Sequence, residues 1–317
     1  MPELPEVHAL AADLGSRLTG RTVARLEIVA FAALKTFDPP TSALAGKTIR
    51  AVTRHGKYLD LAIGDLHLVI HLARAGWIRW RDAAPQRSGR PGKTPLAARL
   101  VLDDGTGHDG TGHDGTGHDG TGHDGTGHEG SSIAKGSGFD VTEAGTKKSL
   151  AVYVVRSPLE VPGIAHLGPD PLDGAFTIQE FVGILEAGGR KHIKGLLRDQ
   201  SVIAGIGNAY SDEILHAARM SPFKPAAMGQ ADAARLFAAM QTTLREAIER
   251  ADGLAASELK REKKSGLRVH GRTGQPCPVC GDTVRQVIYT DSTFQYCPTC
   301  QTGGKPLADR VLSRLLK

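Results

Sequence analysis

The chain has 317 residues, of which 40% are hydrophobic and 5% aromatic, and its formal net charge is +5 at pH 7. This length predicts two domains and a small additional module. Residues 1–20 lack the basic start and apolar core of a secretory signal, and the most apolar stretch, residues 66–80, is interrupted by histidines and arginines. We therefore expect a cytoplasmic protein without a membrane span.

A helix followed by a β-sheet domain is predicted for the first part of the chain. Val7, Leu10, Leu14 and Leu18 recur at helical spacing, and Gly20 follows as a helix-ending residue. Short β-branched or alternating runs then predict antiparallel strands at 22–29, 48–55, 57–63, 66–72 and 149–157. Between these runs, residues 81–95 are rich in Pro, Gly and Arg and predict a loop.

A five-residue unit, GTGHD, repeats five times between Gly105 and Glu129 and ends in Glu in its last copy. A period of five fits neither a helix nor a strand, and the composition cannot bury a core, so we predict a flexible low-complexity loop. Such an expansion is tolerated at a hairpin tip because lengthening a surface loop costs little closure entropy. Metal binding by the five histidines of the repeat is the alternative: His108, His113, His118, His123 and His128.

The second half of the chain predicts helices. The turn GPDPLDG at 168–174 is a candidate hinge, and beyond it the apolar residues recur at helical spacing in 177–187, 193–200, 209–220 and 233–251. Within this half, Gly205, Gly207 and Asn208 precede a helix. Free backbone N–H groups at a helix N-terminus favour an anion, so this turn is a candidate site for a DNA phosphate. An ordinary helix–turn–helix connection remains the alternative, whereas a nucleotide-binding loop is disfavoured because no strand precedes the glycines.

All four cysteines of the chain lie in CPVC and CPTC, with the spacing C-x2-C-x16-C-x2-C. Four thiolates at this spacing suit one tetrahedral ion, and we predict structural zinc on Cys277, Cys280, Cys297 and Cys300. Residues 254–317 hold 11 Lys/Arg against 5 Asp/Glu. This excess of basic residues favours a nucleic acid as partner, and an anionic membrane surface is the weaker alternative. For the cysteine segment taken alone, contact with another protein is the default expectation.

Five segments together resemble the formamidopyrimidine-DNA glycosylase and endonuclease VIII family. They are PELPEV at 2–7, RHGKYL at 54–59, IKGLLRDQSVIAGIGNAYSDEIL ending at residue 215, GRTGQPCPVCG at 271–281 and YCPTCQ at 296–301. They occur in the family's order and span nearly the whole chain. The resemblance implies an α+β fold with an N-terminal antiparallel β-sandwich, flanking helices, and a C-terminal helical domain that carries a helix-two-turn-helix motif and a zinc ribbon.

With that fold, the expected units can be placed along the chain. They are a β-sandwich catalytic domain at 1–168 with the repeat insertion at 103–130, a helix-two-turn-helix domain at 174–262, a zinc ribbon at 263–303, and a basic extension at 304–317.

The resemblance also implies a role for the start of the chain. Removal of Met1 would leave Pro2 with a free secondary amine, and because an α-amine has a pKa of roughly 8, a useful fraction is nucleophilic at neutral pH. Pro2 would attack the deoxyribose C1′, Glu3 would move the protons, and Glu6 would help to position the sugar. The alternative is that these residues simply begin a helix well, since Pro and acidic residues suit its first turn.

Five residues are the implied DNA contacts. Lys57 corresponds to a phosphate-binding lysine of the sheet domain, which the resemblance also counts with the catalytic residues, and Lys194 and Asn208 correspond to phosphate contacts of the helical domain. Arg74 stands where the family usually carries a Met that fills the void left by a flipped base, and Arg272 belongs to the basic cluster beside the cysteines. Such phosphate contacts fix register without reading sequence.

The sequence departs from the family in its recognition elements. The expected Arg/Phe wedge is not recognisable, the loop that covers 8-oxoguanine is shortened to residues 253–266, and residues 289–297 lack the usual arginine. We therefore expect a monomeric bifunctional glycosylase and AP lyase for double-stranded damaged DNA, acting through a Pro2 Schiff base and β,δ-elimination. We expect it to prefer oxidised pyrimidines or abasic sites over 8-oxoguanine.

Two rival hypotheses remain open at this stage. One is a non-catalytic or AP-site-specific damaged-DNA-binding protein with the same fold. The other is a zinc-ribbon transcription or translation factor, which accounts for the cysteines but leaves the PELPEV start unexplained.

Overall fold

The computed structural model describes residues 2–83, 95–103, 136–289 and 293–307. The fold is mixed α+β, as predicted. Its strands are β1 Val23–Ile28, β2 Ile49–His55, β3 Tyr58–Ile63, β4 Leu66–His71, β5 Gly76–Arg81, β6 Leu96–Leu102, β7 Gly138–Glu143, β8 Ala151–Val155, β9 Arg285–Ile288 and β10 Thr293–Tyr296. Its α-helices are α1 Leu4–Leu18, α2 Pro162–Ala165, α3 Ile178–Gly188, α4 Ile193–Arg198, α5 Asn208–Ala217, α6 Gln230–Ala251, α7 Leu259–Gly266 and α8 Pro298–Thr302.

The N-terminal half is a sandwich of two four-stranded antiparallel sheets. One sheet has the order β1-β6-β7-β5 and the other β2-β3-β4-β8. Alternation along β3 directs Leu59, Leu61 and Ile63 into the core, where Leu100 and Phe139 of the other sheet belong to the same buried cluster. The period-two pattern read from the sequence is therefore the pattern that builds this core.

Helix α1 packs beside the sandwich and also reaches the helical half. Its start is fixed by a capping box, in which the Glu3 side chain accepts from the backbone at Glu6 and the Glu6 side chain accepts from the backbone N–H of Glu3. Val7 and Leu10 lie in the sandwich core, whereas Leu4 is fully buried in the core of the helical half. The first turn of α1 is thus held between the two halves.

Strands β5, β6 and β7 were not predicted, and they complete the first sheet. β6 and β7 pair antiparallel, with Val101 opposite Gly138, so the long segment that joins them connects two neighbouring strands. That the GTGHD repeats expand a hairpin tip stays a prediction. The repeats themselves, residues 105–129, lie outside the described residues.

The helical half has its own core, in which Phe181 of α3, Leu197 of α4, Ile214 of α5 and Leu244 of α6 are buried together. The four predicted helices of this half are confirmed. After α6 the chain forms α7, and then the small ribbon of β9 and β10 with α8, which closes on the four cysteines. In the part of the chain that the structure describes, no helix is both long enough and apolar enough to span a bilayer.

Candidate active site and metal centre

The centre of the site is the carboxylate of Glu3, which lies against the N-terminus of α5. Its oxygens accept backbone N–H groups from Gly207 at 2.7 Å, Ala209 at 2.9 Å and Tyr210 at 3.2 Å. Burial alone would raise the pKa of Glu3, but the nearby Lys263 and Lys57 and the backbone donors outweigh it, so the pKa is lowered. Glu3 is therefore ionised at neutral pH although its residue is only 2% exposed.

The two glycines before α5 leave room for the side chains of Leu4 and Glu3. Gly205 has a φ of +88°, and a Cβ built on it would approach the side chain of Leu4 to 2.8 Å. A Cβ on Gly207 would lie 2.5 Å from the carboxyl carbon of Glu3. The sequence predicted an anion at this helix terminus and named a DNA phosphate; that choice was wrong, because the chain's own Glu3 occupies the N–H groups.

Glu6 lies beside Glu3 and is bonded on both of its oxygens. One oxygen accepts the backbone N–H of Glu3 at 2.7 Å and the ammonium of Lys263 at 2.6 Å, and the other accepts the phenol O–H of Tyr210 at 2.7 Å. Desolvation, followed by the charge of Glu6, raises the pKa of Tyr210 well above its usual value, so the phenol stays protonated. Protein donors take both oxygens of Glu6, so it holds the start of α1. Its contact with the sugar stays a prediction, and Pro2, directly before Glu3, is buried.

Lys263 reaches this site from α7, a helix where a shortened loop was expected. Within the segment 253–266, residues Leu259–Gly266 are helical, and Leu259 is fully buried in the core of the sandwich half. From this helix the Lys263 ammonium contacts Glu6, lies 3.9 Å from a Glu3 oxygen and stands 4.7 Å from the centre of the Tyr210 ring. A cation from the second half of the chain thus faces both acids of the first helix.

Lys57 occupies the tight turn between β2 and β3, directly after Gly56, whose φ is +54°. It is only 8% exposed, and this desolvation, partly offset by the charge of Glu3, lowers the pKa of Lys57 to about 8. Its charge in turn favours the ionised form of Glu3. The charges of Lys57 and Glu3 therefore act on each other, and these two residues were placed in the same predicted site.

A cleft of about 840 Å³ opens onto Glu3 and has a largely basic lining. Arg74, Asn208 and Arg272, three of the predicted DNA contacts, line it, and Arg74 is exposed. The Asn208 amide N–H₂ also donates to the backbone oxygen of Thr293 at 2.6 Å, which ties the start of α5 to the ribbon. Further lining residues are Arg198, Lys260, Lys263, Lys264, His270 and Gln275.

Lys194, a predicted phosphate contact, lies in the interior and is not among the residues that line this cleft. Its ammonium donates to Asp212 at 2.6 Å, to Ser211 Oγ at 2.6 Å and to the backbone oxygen of Asn208 at 3.2 Å. Asp212 in turn lies 2.7 Å from Nδ1 of His270, which lines the cleft. Since three partners already surround its donors and it is 4% exposed, Lys194 neutralises buried Asp212 rather than an external anion.

The four cysteines form one cluster, with all four sulfurs within 4.8 Å of one another. Cys277 and Cys300 are 3.9 Å apart, and Cys280 and Cys297 are 3.3 Å apart. A tetrahedral zinc ion with Zn–S bonds of about 2.3 Å places its sulfurs about 3.8 Å apart, so the cluster fits this ion. In addition, the Nε2 of His216 on α5 lies 3.3 Å from the Cys277 sulfur and joins the cluster to the helical half.

Sequence reasoning missed Tyr210, Lys263 and His270 as parts of the site. Tyr210 lies within the quoted glycine-centred motif, three residues after Gly207, so its place on the first turn of α5 was available as a signal. Lys263 and His270 lie in the basic segment before the first cysteine, but no spacing in that segment distinguishes them from the other cations.

Comparison with solved structures gives the fold class. The MutM (Fpg) protein of Thermus thermophilus has a TM-score of 0.70 and 29% identity, with 96% of this chain and 100% of that chain covered. A Lactococcus lactis formamidopyrimidine-DNA glycosylase bound to AP-site DNA has a TM-score of 0.72 at 23% identity, with 95% and 99% covered. The chain therefore has the fold of the MutM (Fpg) proteins.

Sequence comparison then gives the family. The formamidopyrimidine-DNA glycosylase N-terminal domain matches residues 1–111, and the H2TH domain of the same enzymes matches residues 167–258. A formamidopyrimidine-DNA glycosylase of Heliobacterium modesticaldum is 33% identical over 312 residues, with 95% of this chain and 100% of the relative covered. An uncharacterized formamidopyrimidine-DNA glycosylase-like protein of Mycobacterium tuberculosis is 59% identical over 152 residues, which are 48% of this chain and 94% of that protein. The chain belongs to the formamidopyrimidine-DNA glycosylase family.

Proposed function

We propose that this protein is a DNA glycosylase with AP lyase activity that acts on damaged double-stranded DNA bound in the basic cleft. One observation carries the proposal: Glu3, the residue after Pro2, is a buried and ionised carboxylate at the N-terminus of α5, and it lines the cleft. A helix that merely needed an acidic first turn would leave its acid at the surface. This acid is buried, paired with cations and open to the cleft on one side.

In the proposed reaction, removal of Met1 frees the amine of Pro2. The amine nitrogen bonds to the deoxyribose C1′ while the bond from C1′ to the damaged base breaks, and the base leaves with the electron pair and takes up a proton. Once the nitrogen has lost its remaining proton, its lone pair expels the ring oxygen O4′ from C1′; O4′ takes up a proton, the sugar ring opens, and an iminium ion remains at C1′. The iminium draws electrons from the sugar, so that loss of a C2′ proton expels the 3′ phosphate and a second elimination expels the 5′ phosphate. Water finally hydrolyses the iminium and restores the amine.

Glu3 is the proton carrier in this scheme. Because it is ionised in the resting site, its first task is to accept a proton from the amine of Pro2, and it can then deliver that proton to the departing base. Glu6 and Tyr210 keep the first turn of α1 against α5, which fixes Glu3 next to Pro2 in the chain. Their contribution is positioning, which determines how often the reacting atoms meet.

We assign the binding of DNA phosphates to the cations that line the cleft and to Lys57. Phosphate contacts of this kind bind any sequence, as an enzyme that scans a genome requires. Arg74, exposed at the cleft, is proposed to fill the gap left by the flipped nucleotide. For the base itself, we propose oxidised pyrimidines or abasic sites in preference to 8-oxoguanine, because helix α7 lines the cleft where a loop covering 8-oxoguanine was expected.

Zinc bound by the four cysteines is proposed to be structural. The ion would fold the ribbon and hold Arg272 and His270 at the cleft, and all four of its ligands come from the protein, so no position is left for a substrate. We further propose that the protein acts as a monomer in the cytoplasm, where its DNA substrate lies.

Borohydride trapping tests the proposal. Reduction of the iminium should join the protein covalently to DNA that carries an abasic site, and a shifted band on a denaturing gel measures this product. Pro2→Gly should weaken the trap, whereas Glu3→Gln should suppress base release more than cleavage of a preformed abasic site. If fully processed protein binds abasic DNA but forms no trapped complex, the non-catalytic damage-binding alternative replaces the enzyme.

A further inference from the structure

The ammonium of Lys263 lies close to both carboxylates at the start of α1, those of Glu3 and Glu6. Its ammonium lies 2.6 Å from one Glu6 oxygen and 3.9 Å from one Glu3 oxygen, and its side chain is 13% exposed. It also stands over the ring of Tyr210 at 4.7 Å. The same ammonium therefore touches or faces three groups of the candidate active site, and it comes from an element about 255 residues further along the chain.

The helix that carries Lys263 is fixed in place from both halves of the protein. Leu259 on α7 is fully buried in the core of the sandwich half, and Trp77 of β5 donates its indole N–H to the backbone oxygen of Ala256 at 3.0 Å. From the helical half, Arg250 of α6 donates to Glu262 at 2.8 Å. Because these anchors hold the chain directly before residue 263 from two different elements, the ammonium is delivered to a defined point rather than to a flexible surface.

We propose that Lys263 is a positioning residue for the reaction: α7 carries its ammonium into the site, where it holds the Glu3 and Glu6 carboxylates together beside Pro2. This inference rests on the proposed function. A bare pair of carboxylates buried side by side would repel each other, and one of them would take up a proton. With the ammonium beside both carboxylates, Glu6 keeps its hold on the first turn, and Glu3 stays ionised and ready to accept a proton.

The charge of Lys263 also sets the pH range in which Glu3 works. The charged and titratable groups that face Glu3 are Glu6 of α1, Lys57 of the β2–β3 turn, Lys194 of α4, Tyr210 of α5 and Lys263 of α7. Of the three lysines, Lys263 makes the larger charge contribution that lowers the pKa of Glu3, ahead of Lys57. Loss of this cation raises the pKa of Glu3, so the protein should lose base release first at acid pH.

The variant Lys263→Met removes the ammonium and keeps the length of the side chain. Its matched control is Arg261→Met, which removes one positive charge from the same helix at a side chain that is 84% exposed and pairs only loosely with Glu258 at 3.6 Å. Lys263→Arg restores a cation at the same position. Single-turnover base release is measured from about pH 3.5 to 9 for all four proteins, so that the acid limb set by Glu3 lies within the range, and the Glu3 carboxyl is titrated by carbon NMR in the same variants.

The expected result is that the acid limb of the Lys263→Met profile moves up by about one pH unit or more, with a loss of roughly tenfold in rate below that limb. Lys263→Arg should recover most of this loss, and Arg261→Met should keep the wild-type profile. A Lys263→Met protein whose pH profile and Glu3 titration match those of the control overturns the proposal, even if its melting temperature falls. If the wild-type protein releases no base and traps no DNA, the proposed function fails, and the NMR titration still decides whether Lys263 controls Glu3.

Discussion

Gly207→Ala adds a single methyl group where the backbone of α5 meets the Glu3 carboxylate. The φ of Gly207 is −125°, which alanine adopts freely, so the substitution tests the contact and not backbone strain. The new Cβ would lie 2.5, 2.7 and 2.8 Å from the carboxyl carbon and the two oxygens of Glu3, whereas ordinary contacts begin near 3.4 Å. The carboxylate must therefore retreat by most of an ångström, which is enough to break hydrogen bonds of normal length.

The cost follows from the hydrogen bonds that this retreat breaks. Glu3 accepts three backbone N–H groups, and each hydrogen bond to a charged group contributes about 1.5–3 kcal/mol. Loss of one of the three should slow base release by roughly 10- to 150-fold, at about 1.36 kcal/mol for each factor of ten.

Single-turnover kinetics on a lesion duplex measure this effect, and urea unfolding reports the free energy of unfolding. Gly183→Ala is the matched control, since Gly183 lies within α3 and no atom of the described residues lies within 4 Å of its added Cβ. Replacing a helical glycine by alanine at such an open position should stabilise the protein by about 0.5–1 kcal/mol and leave the rate unchanged. If Gly207→Ala releases base at the wild-type rate, the carboxylate is not held for the reaction by the terminus of α5, and the assignment of Glu3 as the positioned proton carrier is refuted.

Three further outcomes are expected. Metal analysis should find one zinc ion per chain. The variant Cys280→Ala should lose this ion and unfold at a lower denaturant concentration. A metal-free variant with the stability of the wild type would contradict a structural role for zinc. DNA affinity should fall as the pH rises through about 8, because the pKa of Lys57 is lowered to about 8 and its ammonium loses its charge above that value. In a binding titration, Lys57→Arg should make the affinity less dependent on pH. An equally steep pH dependence in this variant would argue against a phosphate contact of Lys57. Tyr210→Phe removes the phenol O–H that donates to Glu6. The free energy of unfolding, measured by urea titration, should fall by about 1–3 kcal/mol. An unchanged value would mean that Glu6 does not need the hydrogen bond from Tyr210.

The elements that sequence predicted best are those whose own residues carry the signal. Helix α1 was placed correctly because its apolar residues recur at 3.6-residue spacing and Glu3 and Glu6 form a local capping box. Strand β3 was placed because its inward positions alternate. In contrast, β6 and β7 are interrupted by the long insertion between them, and their pairing, Val101 opposite Gly138, joins residues that no local pattern connects. Local periodicity predicts an element, whereas pairing between distant elements has to be observed.

The same distinction explains the errors within the site. The glycine-rich turn before α5 correctly predicted an anion, since any helix terminus preceded by open N–H groups attracts one. Which anion binds was decided by Leu4, whose backbone N–H donates to the Gly205 oxygen at 3.0 Å and whose side chain is buried among the helices. That contact draws the start of α1 across to α5 and leaves Glu3 against the N–H groups. The partner of the motif was therefore set by a contact spanning some two hundred residues, which the motif itself does not encode.

Helix α7 presents the converse case, in which a segment of weak helical pattern is folded by its surroundings. Residues Leu259–Gly266 contain four Lys or Arg and a single large apolar side chain, so their composition favours a solvated loop as much as a helix. The helix forms because Leu259 enters the sandwich core, Arg250 pairs with Glu262, and Lys263 finds the two carboxylates of α1. Leu259 and Lys263 join α7 to the sandwich core and to the start of α1, and Glu262 joins it to α6, so residues from both halves hold this helix in place.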